Sequence, residues 1–217
     1  MQIRQRTNLR NQVINLKMSR PAKPHATKFI VHPLTPSRWA DVEDLFGPEK
    51  GANSGCWCMW PRVTSSEFRD MDKAKRKAAF RSCVAKGPVP GLLLYENGKA
   101  IGWVAVSPRD EVVRFDKAKT SELEPELNPA KHYAITCFYV RTGHRKRGLM
   151  TDLAEAAIDY ARKKKAAALD VCPIDTDKPL MWGEGFVGIV SVFAKLGFKE
   201  VARRSPRRPL MRLSFKA

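Results

Sequence analysis

The sequence predicts a mixed α/β fold, and three local patterns lead to this class. The first is a β-hairpin over residues 91–107, in which Asn97-Gly98 supplies the positive φ angles of a type I′ turn. The second is an apolar strand, a helix and another strand within 134–172, which predicts a right-handed βαβ unit with parallel strands. The third is a pair of short strand patterns within 198–215. Together they predict a sheet that combines antiparallel and parallel pairs.

The chain preceding the hairpin contributes a first strand and a first helix. Phe29-Ile30-Val31 is a short run typical of a strand. Thr35-Pro36 then opens a helix, because threonine can cap a helix and proline suits its first turn. The apolar face predicted for this helix consists of Trp39, Val42, Leu45 and Phe46.

Two further helices are predicted from their charge pattern and their ends. Residues 65–86 form one long helix with acidic residues early, a lysine late, and Gly87 at its end. Residues 186–196 form another, which Gly197-Phe198 would close with a Schellman cap. Residues 107–131 are polar and interrupted by proline, which predicts a long connection before the βαβ unit.

A formal net charge of +18 over 217 residues favours partners that are polyanions: nucleic acid, anionic lipid or a phosphorylated cofactor. Residues 1–28 hold basic but no acidic side chains. We interpret 1–27 as a disordered tail and 28–217 as one domain. The alternatives are an organelle transit peptide, or upstream sequence before a true start at Met18.

Five cysteines, an odd number without a disulfide framework, favour a reducing cytoplasm. Cys56-Trp57-Cys58 lacks a second ligand pair at zinc spacing, so we predict no metal site. No apolar stretch is long enough to cross a bilayer, and we predict no membrane partner.

The segment Cys56–Trp60 is apolar within an irregular loop, so it either covers the core or forms one wall of an acceptor pocket.

The most informative segment is the turn between the buried strand and the helix of the βαβ unit. Free backbone N–H groups at a helix start bind anions, and Gly143 and Gly148 would let a ligand approach the backbone closely. Residues 144–147 are all basic, although helix N-termini prefer acidic side chains. A bound pyrophosphate would explain this excess; the alternative is a solvated basic turn.

At this turn the sequence resembles the GNAT acetyltransferase superfamily, whose signature Arg/Gln-x-x-Gly-x-Gly/Ala appears as residues 145–150, with Met150 where a small residue is usual. The hairpin, the segment Cys137–Val140 and Phe193-Ala194-Lys195-Leu196-Gly197-Phe198 are similar to family elements in the same order. The resemblance implies a mostly antiparallel sheet with helices on both faces, and acetyl-CoA as co-substrate. Implied cofactor-binding residues are Phe138, Tyr139, Val140, Arg145, Lys146, Arg147, Gly148, Leu149, Met150 and Thr151.

The resemblance also implies the reaction, in which a primary amine of a small molecule or peptide attacks the thioester directly. The tyrosine that serves many members as general acid falls on Phe193, which has no proton to give. His132 is a candidate general base, or else a surface residue at a strand end. Cys137 is a candidate acyl acceptor, or else a small core residue. Asp170 and Glu184 are further carboxylates that could face the cleft.

Two other functions remain open at this point. A basic nucleic-acid-binding protein would account for the net charge, although no recognised binding motif is present. A CoA-binding protein without catalysis would account for Phe193.

Overall fold

The computed structural model describes residues 29–47, 55–180 and 183–216. They form a seven-stranded sheet in the order β1-β2-β3-β4-β5-β7-β6. The predicted tail lies outside the described residues. The strands are β1 (Ile30–Pro33), β2 (Gly91–Glu96), β3 (Lys99–Pro108), β4 (His132–Val140), β5 (Ala168–Val171), β6 (Lys199–Ala202) and β7 (Leu210–Ser214).

The pairing of these strands confirms the predicted fold class. All neighbouring pairs are antiparallel except β4 and β5, which run parallel from His132↔Ala168 to Ile135↔Val171. The hairpin between β2 and β3 turns at Asn97 (φ 51°) and Gly98 (φ 77°), as a type I′ turn requires.

Helices cover both faces of the sheet, each over its own apolar core. On one face, the buried residues of α5 pack with those of β3 and β4. On the other, Trp39, Val42, Leu45 and Phe46 are all buried with Trp103, which confirms the predicted apolar face. The helices are α1 (Trp39–Phe46), α2 (Ser65–Asp70), α3 (Lys73–Lys86), α4 (Val113–Lys117), α5 (Leu149–Lys163) and α6 (Val190–Lys195).

The prediction of one helix over 65–86 is wrong, because two capping sites divide it. Thr64 and Glu67 form a capping box at the start of α2. Asp72 accepts a hydrogen bond from the Lys75 amide at 2.7 Å and starts a second helix, α3. Asp72 therefore acts as an N-cap rather than as an early acidic residue of one long helix.

The helix predicted over 186–196 is also shorter than expected. A 3₁₀ turn covers Glu184–Val187, and Gly188 (φ 79°) separates it from α6. Its predicted end is confirmed: the Phe198 amide donates to Phe193 O and the Gly197 amide to Ala194 O, both at 3.1 Å, as in a Schellman cap.

The connection from β3 to β4 is fixed to the sheet by a buried ion network. Arg109, fully buried, donates from Nη1 to Asp170 Oδ2 at 2.6 Å and from Nε to Asp116 at 2.9 Å. Arg212 of β7 donates to the other Asp170 oxygen at 2.7 Å and to Glu124 at 2.9 Å. The network joins β5, β7 and the connection, a link between residues distant in sequence.

The loop before α2 covers the core of the α1 face. Trp57, Cys58 and Met59 are buried there, and Trp103 Nε1 donates to Cys58 Sγ at 3.1 Å. Trp60 is 51% exposed and does not share this packing. The described part of the loop thus covers the core, which agrees with the first of the two interpretations of this segment.

The described residues contain no helix with the length and apolar character needed to span a membrane. They also contain no cluster of three or more ligand side chains suited to a metal ion.

Candidate functional site

The turn that joins β4 to α5 presents its backbone to solvent. Lys146 (φ 63°) and Gly148 (φ 80°) both adopt left-handed conformations just before the helix. Across the described part of the chain, the amides of residues 146–150 have no hydrogen-bond acceptor. A Cβ atom built on Gly148 would meet nothing within 4 Å, so the space beside this amide is open. Unpaired N–H groups at a helix start can bind an anion.

The two apolar residues of the turn leave this space open. The Leu149 side chain is buried in the core, and Met150 packs against the same core. The departure from the signature at Met150 therefore does not place its side chain over the amides. Thr151 differs from its neighbours, because its amide donates to Gly148 O at 2.8 Å.

The sequence suggested that the basic side chains of the turn all point outward. In the structure, several of them turn toward the protein instead. Arg147 Nη1 donates to Glu96 Oε2 at 3.0 Å, and His144 Nδ1 lies 3.2 Å from the same carboxylate. Arg145 Nε donates to Val140 O at 3.0 Å and so folds back on the strand end. The hydrogen bond from the Arg147 guanidinium is the main cause that holds the pKa of Glu96 below its ordinary value. Much of the basic cluster thus anchors the turn to the hairpin.

The edge of β4 that leads to this turn is open where β5 ends. The Arg141 amide donates to Ile101 O on β3 at 2.9 Å. Because adjacent residues of a strand direct their peptide groups to opposite edges, Val140 and Phe138 face away from β3. The pairing of β4 with β5 ends at Ile135, so this stretch lies beyond the ladder. We call this stretch, where β4 is no longer paired with β5 on the side of the basic turn, the wedge.

The segment after β5 borders this wedge. The 3₁₀ turn Glu184–Val187 lies against β4, and Ile174 and Ile189 form an isolated parallel bridge. A Cβ atom on Gly188 would lie 2.6 Å from the Phe193 ring and 3.3 Å from Phe138, so the backbone approaches these rings closely. Only glycine fits this approach without displacing a neighbour.

The sequence of this turn and the sheet around it match a family. The acetyltransferase (GNAT) family model covers residues 54–179, more than half of the chain. The chain belongs to the GNAT acetyltransferase family. This confirms the resemblance drawn from the sequence.

Solved GNAT structures share the fold at low sequence identity. A putative acetyltransferase from Acinetobacter baylyi is 13% identical with a TM-score of 0.54, over 89% of this chain and 95% of its own. An N-acetyltransferase from Staphylococcus aureus is 12% identical with a TM-score of 0.52, over 87% and 99%. A putative acetyltransferase from Salmonella typhimurium, solved with its cofactor acetyl-CoA, is 14% identical with a TM-score of 0.51, over 88% and 95%. No curated protein sequence matches the chain.

His132 lies at the opposite end of β4 from the basic turn of this GNAT domain. It is 5% exposed, and its Nδ1 is 3.8 Å from Asp170 Oδ2, too far for a normal hydrogen bond. Nδ1 has no hydrogen-bond partner among the described residues. The histidine is therefore buried rather than at the surface, and its distance from the wedge disfavours it as the general base.

Cys137 lies closer to the wedge, at an irregularity of β4. The register between β3 and β4 shifts at this point, because Ala105 pairs with Cys137 but the next residue, Val106, pairs with Ile135. Thr136 is therefore an extra residue in β4, as in a β-bulge. The Cys137 thiol is half-buried, and Phe186 packs in the same cluster. Of the two catalytic candidates, the structure places only Cys137 beside the open edge of the strand.

The remaining acidic candidates and Phe193 make structural contacts in this GNAT fold. Asp170 is fully buried in the ion network, and Glu184 accepts from Arg207 Nη2 at 2.9 Å. Phe193 is fully buried against Phe138 and Phe198, with ring centroids at 6.0 and 5.2 Å. Glu96 was not predicted to be part of the site. The one signal in the sequence that could have indicated it is its position beside the Asn97-Gly98 turn.

Proposed function

We propose that this protein is an acyl-CoA-dependent N-acyltransferase that transfers acetyl from acetyl-CoA to a primary amine. Membership of the GNAT family and a liganded structural relative agree with acetyl-CoA as co-substrate. The observation that carries the proposal for this chain is the row of unpaired amides at residues 146–150, with open space beside Gly148.

The CoA pyrophosphate would accept hydrogen bonds from these amides at the start of α5. Their N–H dipoles and the positive end of the helix both favour negative charge. Lys146 is exposed and makes no ion pair within the described ranges, so its ammonium group is available to a phosphate. Arg145, Arg147, Leu149, Met150 and Thr151 would shape the site mainly through backbone and anchoring contacts.

The pantetheine arm would lie in the wedge between β4 and β5. Phe138 and Val140 direct their peptide groups to this edge, and Tyr139 lies between them on the same strand. An amide from Phe138 or Val140 could also donate to the thioester oxygen as it gains charge. The orientation of the strand favours these two residues over Tyr139, whose peptide group faces β3.

The chemical step would be direct transfer in a ternary complex. The amine nitrogen forms a bond to the thioester carbonyl carbon, the C–S bond breaks, and the thiolate takes up the proton that the amine loses. The protein's main contribution is to hold both reactants together, which can lower a barrier by about 7–11 kcal/mol. Phe193 cannot supply this proton, so a water molecule would relay it from the amine nitrogen to the thiolate.

We propose 28–217 as the catalytic domain, with 1–27 as a separate basic tail. The sheet supports this division, because β1 and β7, at the two ends of the described chain, are both strands of the same sheet as β4. A soluble cytoplasmic location and a small-molecule or peptide acceptor remain parts of this proposal.

Release of free CoA thiol in the presence of amines tests the function. With acetyl-CoA and a panel of polyamines, amino acids and peptides, we expect thiol release above the hydrolysis rate for at least one amine class. A protein that binds acetyl-CoA but releases no thiol with any amine would instead be a CoA-binding protein, the alternative that Phe193 favours.

Replacing Cys137 tests direct attack against an acyl-enzyme. We expect Cys137→Ser to keep kcat within about threefold of wild type, since serine preserves the size of this half-buried side chain. Cys83→Ser, a half-buried thiol on α3, is the matched control. Loss of burst-phase thiol release in Cys137→Ser alone would show a covalent step through Cys137.

A further inference from the structure

A second unusual surface lies on the connection between the loop and α2. Trp60 is 51% exposed and contacts Phe68 edge to face, with ring centroids 4.9 Å apart. The Arg114 guanidinium stacks on Trp60 and that of Arg76 on Phe68, each 3.8 Å from the ring centroid. Arg69, whose positive charge acts on Arg114, completes this group. We name Trp60, Phe68, Arg69, Arg76 and Arg114 the basic-aromatic patch.

The guanidinium groups of the patch have no carboxylate partner. Within residues 29–47, 55–180 and 183–216, Arg69, Arg76 and Arg114 form no salt bridge. Arg114 donates to Trp60 O at 2.7 Å and to Ser65 Oγ at 2.6 Å, but its Nη2 has no acceptor. Arg76 Nε has none either. Two buried guanidinium nitrogens of the patch thus have no acceptor among the described residues.

The same cations also repel one another. Burial lowers the pKa of Arg114, and the positive charge of Arg69 lowers it further. A negatively charged group placed beside these two side chains would relieve this repulsion. Of the acids in the same segment, Glu67 accepts from Thr64 and Asp72 caps α3, whereas Asp70 is exposed and forms no ion pair with the patch among the described residues.

The helix that follows extends the positive surface. α3 contains six basic and no acidic residues, and among them only Lys77 pairs with a carboxylate, Glu43, at 2.6 Å in the described structure. Lys73 and Lys75 are exposed next to the patch. A series of cations beside an aromatic platform is typical of surfaces that follow a polynucleotide backbone and stack its bases.

This surface is separate from the basic turn at the start of α5. Arg62, two residues after Trp60, donates to Ser107 Oγ at 3.1 Å, at the far end of β3. The turn follows Val140, which pairs with Gly102 near the other end of β3. Gly102 and Ser107 are five positions apart along β3, which corresponds to roughly 17 Å. Neither site shares a residue with the other.

We propose that the basic-aromatic patch binds single-stranded nucleic acid, with a base stacked on Trp60 and a phosphate held between Arg69 and Arg114. The aromatic ring distinguishes this partner from a purely acidic peptide, which would use the cations but gain little from an indole face. The patch would bring the proposed transferase to a polynucleotide or to a complex that contains one.

Fluorescence anisotropy with the full chain tests this proposal. The probes are labelled RNA and DNA oligonucleotides of the same sequence, about 12 nucleotides long, which spans a typical single-strand site. We expect Arg69→Glu to weaken binding about tenfold and Trp60→Ala to weaken it about 5- to 150-fold. Trp60→Phe should retain most of the affinity, because it keeps an aromatic face.

Lys163→Glu is the matched control, because it makes the same charge change at an exposed position on α5 that has no partner in the described structure. It should weaken binding less than twofold. Equal losses in Arg69→Glu and Lys163→Glu would overturn the proposal, since binding would then depend on overall charge alone. A second result would also overturn the proposal: a polyglutamate peptide displaces the labelled oligonucleotide as well as an unlabelled oligonucleotide does, and Trp60→Ala has no effect. The patch would then be assigned to acidic proteins.

The comparison of RNA with DNA identifies the source of the polynucleotide, and either preference supports the patch. Acetyl-CoA binding should be unchanged in Arg69→Glu. Failure of the nucleic-acid test is therefore distinguishable from failure of the proposed acyl transfer.

Discussion

We expect Asp170→Asn to lower the free energy of unfolding by about 3–5 kcal/mol, the usual effect of breaking a buried ion pair. The carboxylate is fully buried and accepts from both Arg109 and Arg212. Asparagine keeps the size but removes the buried counterion of Arg109, which is then left with Asp116 alone. Urea denaturation monitored by fluorescence measures the change.

Asp159→Asn is the matched control for this substitution. Asp159 is exposed on α5 and lies 3.8 Å from Arg162, a surface pair that contributes little. We expect a change below about 0.5 kcal/mol. A loss in Asp170→Asn no larger than in the control would show that the network does not hold the connection to the sheet.

The same network predicts a pH dependence. Burial raises the pKa of Asp170, but His132, Arg212 and Arg109 lower it more strongly, so the net shift is downward. A carboxylate with a lowered folded pKa contributes stability above its unfolded pKa of about 3.9 and loses it as pH falls through the folded value. The difference in stability between wild type and Asp170→Asn should therefore be constant near neutral pH and shrink below about pH 4.

The second large effect concerns the anion site, where Gly148→Asp should weaken acetyl-CoA binding at least about a hundredfold. The new carboxylate would enter the open space beside the amides, and like charges about 4 Å apart near a protein surface repel by about 4 kcal/mol before screening. Isothermal titration calorimetry measures the affinity.

Gly143→Asp separates this repulsion from backbone strain. Gly143 (φ 88°) and Gly148 (φ 80°) have similar left-handed conformations, and a Cβ atom meets nothing within 4 Å at either one. Gly143 precedes the unpaired amides, so we expect a loss of less than about tenfold there. Equal losses in the two variants would assign the effect to strain or to net charge rather than to the amides of residues 146–150.

Much of the fold was predictable because its signals are local. The Asn97-Gly98 turn and the Gly197-Phe198 cap each depend on a few adjacent residues whose allowed φ angles are restricted. The parallel β4–β5 pair follows from the length and handedness of a strand–helix–strand unit. The basic turn was predictable for the same reason, since glycine and charge are clustered within a few residues.

The errors have a common origin in contacts that sequence spacing does not show. Asp72 starts a new helix, although by composition it fits the interior of one helix over 65–86. Arg147 turns to Glu96, which is 51 residues away in sequence, instead of facing an anion. Arg109 and Asp170 are 61 residues apart and meet only when the sheet is assembled. Side-chain direction depends on such tertiary partners, so the sequence predicted more free cations at this turn than the structure has.

The binding of acetyl-CoA compared with acetyl-pantetheine, measured by calorimetry, tests the central claim most directly. Acetyl-pantetheine keeps the thioester arm but lacks the pyrophosphate that the amides of residues 146–150 would hold. We predict that it binds at least about a hundredfold more weakly, and that acetyl-CoA at a hundredfold excess over its Kd stabilises the fold by about 2.7 kcal/mol. Equal affinity for the two ligands, or no stabilisation by acetyl-CoA, would contradict a diphosphate site at this turn.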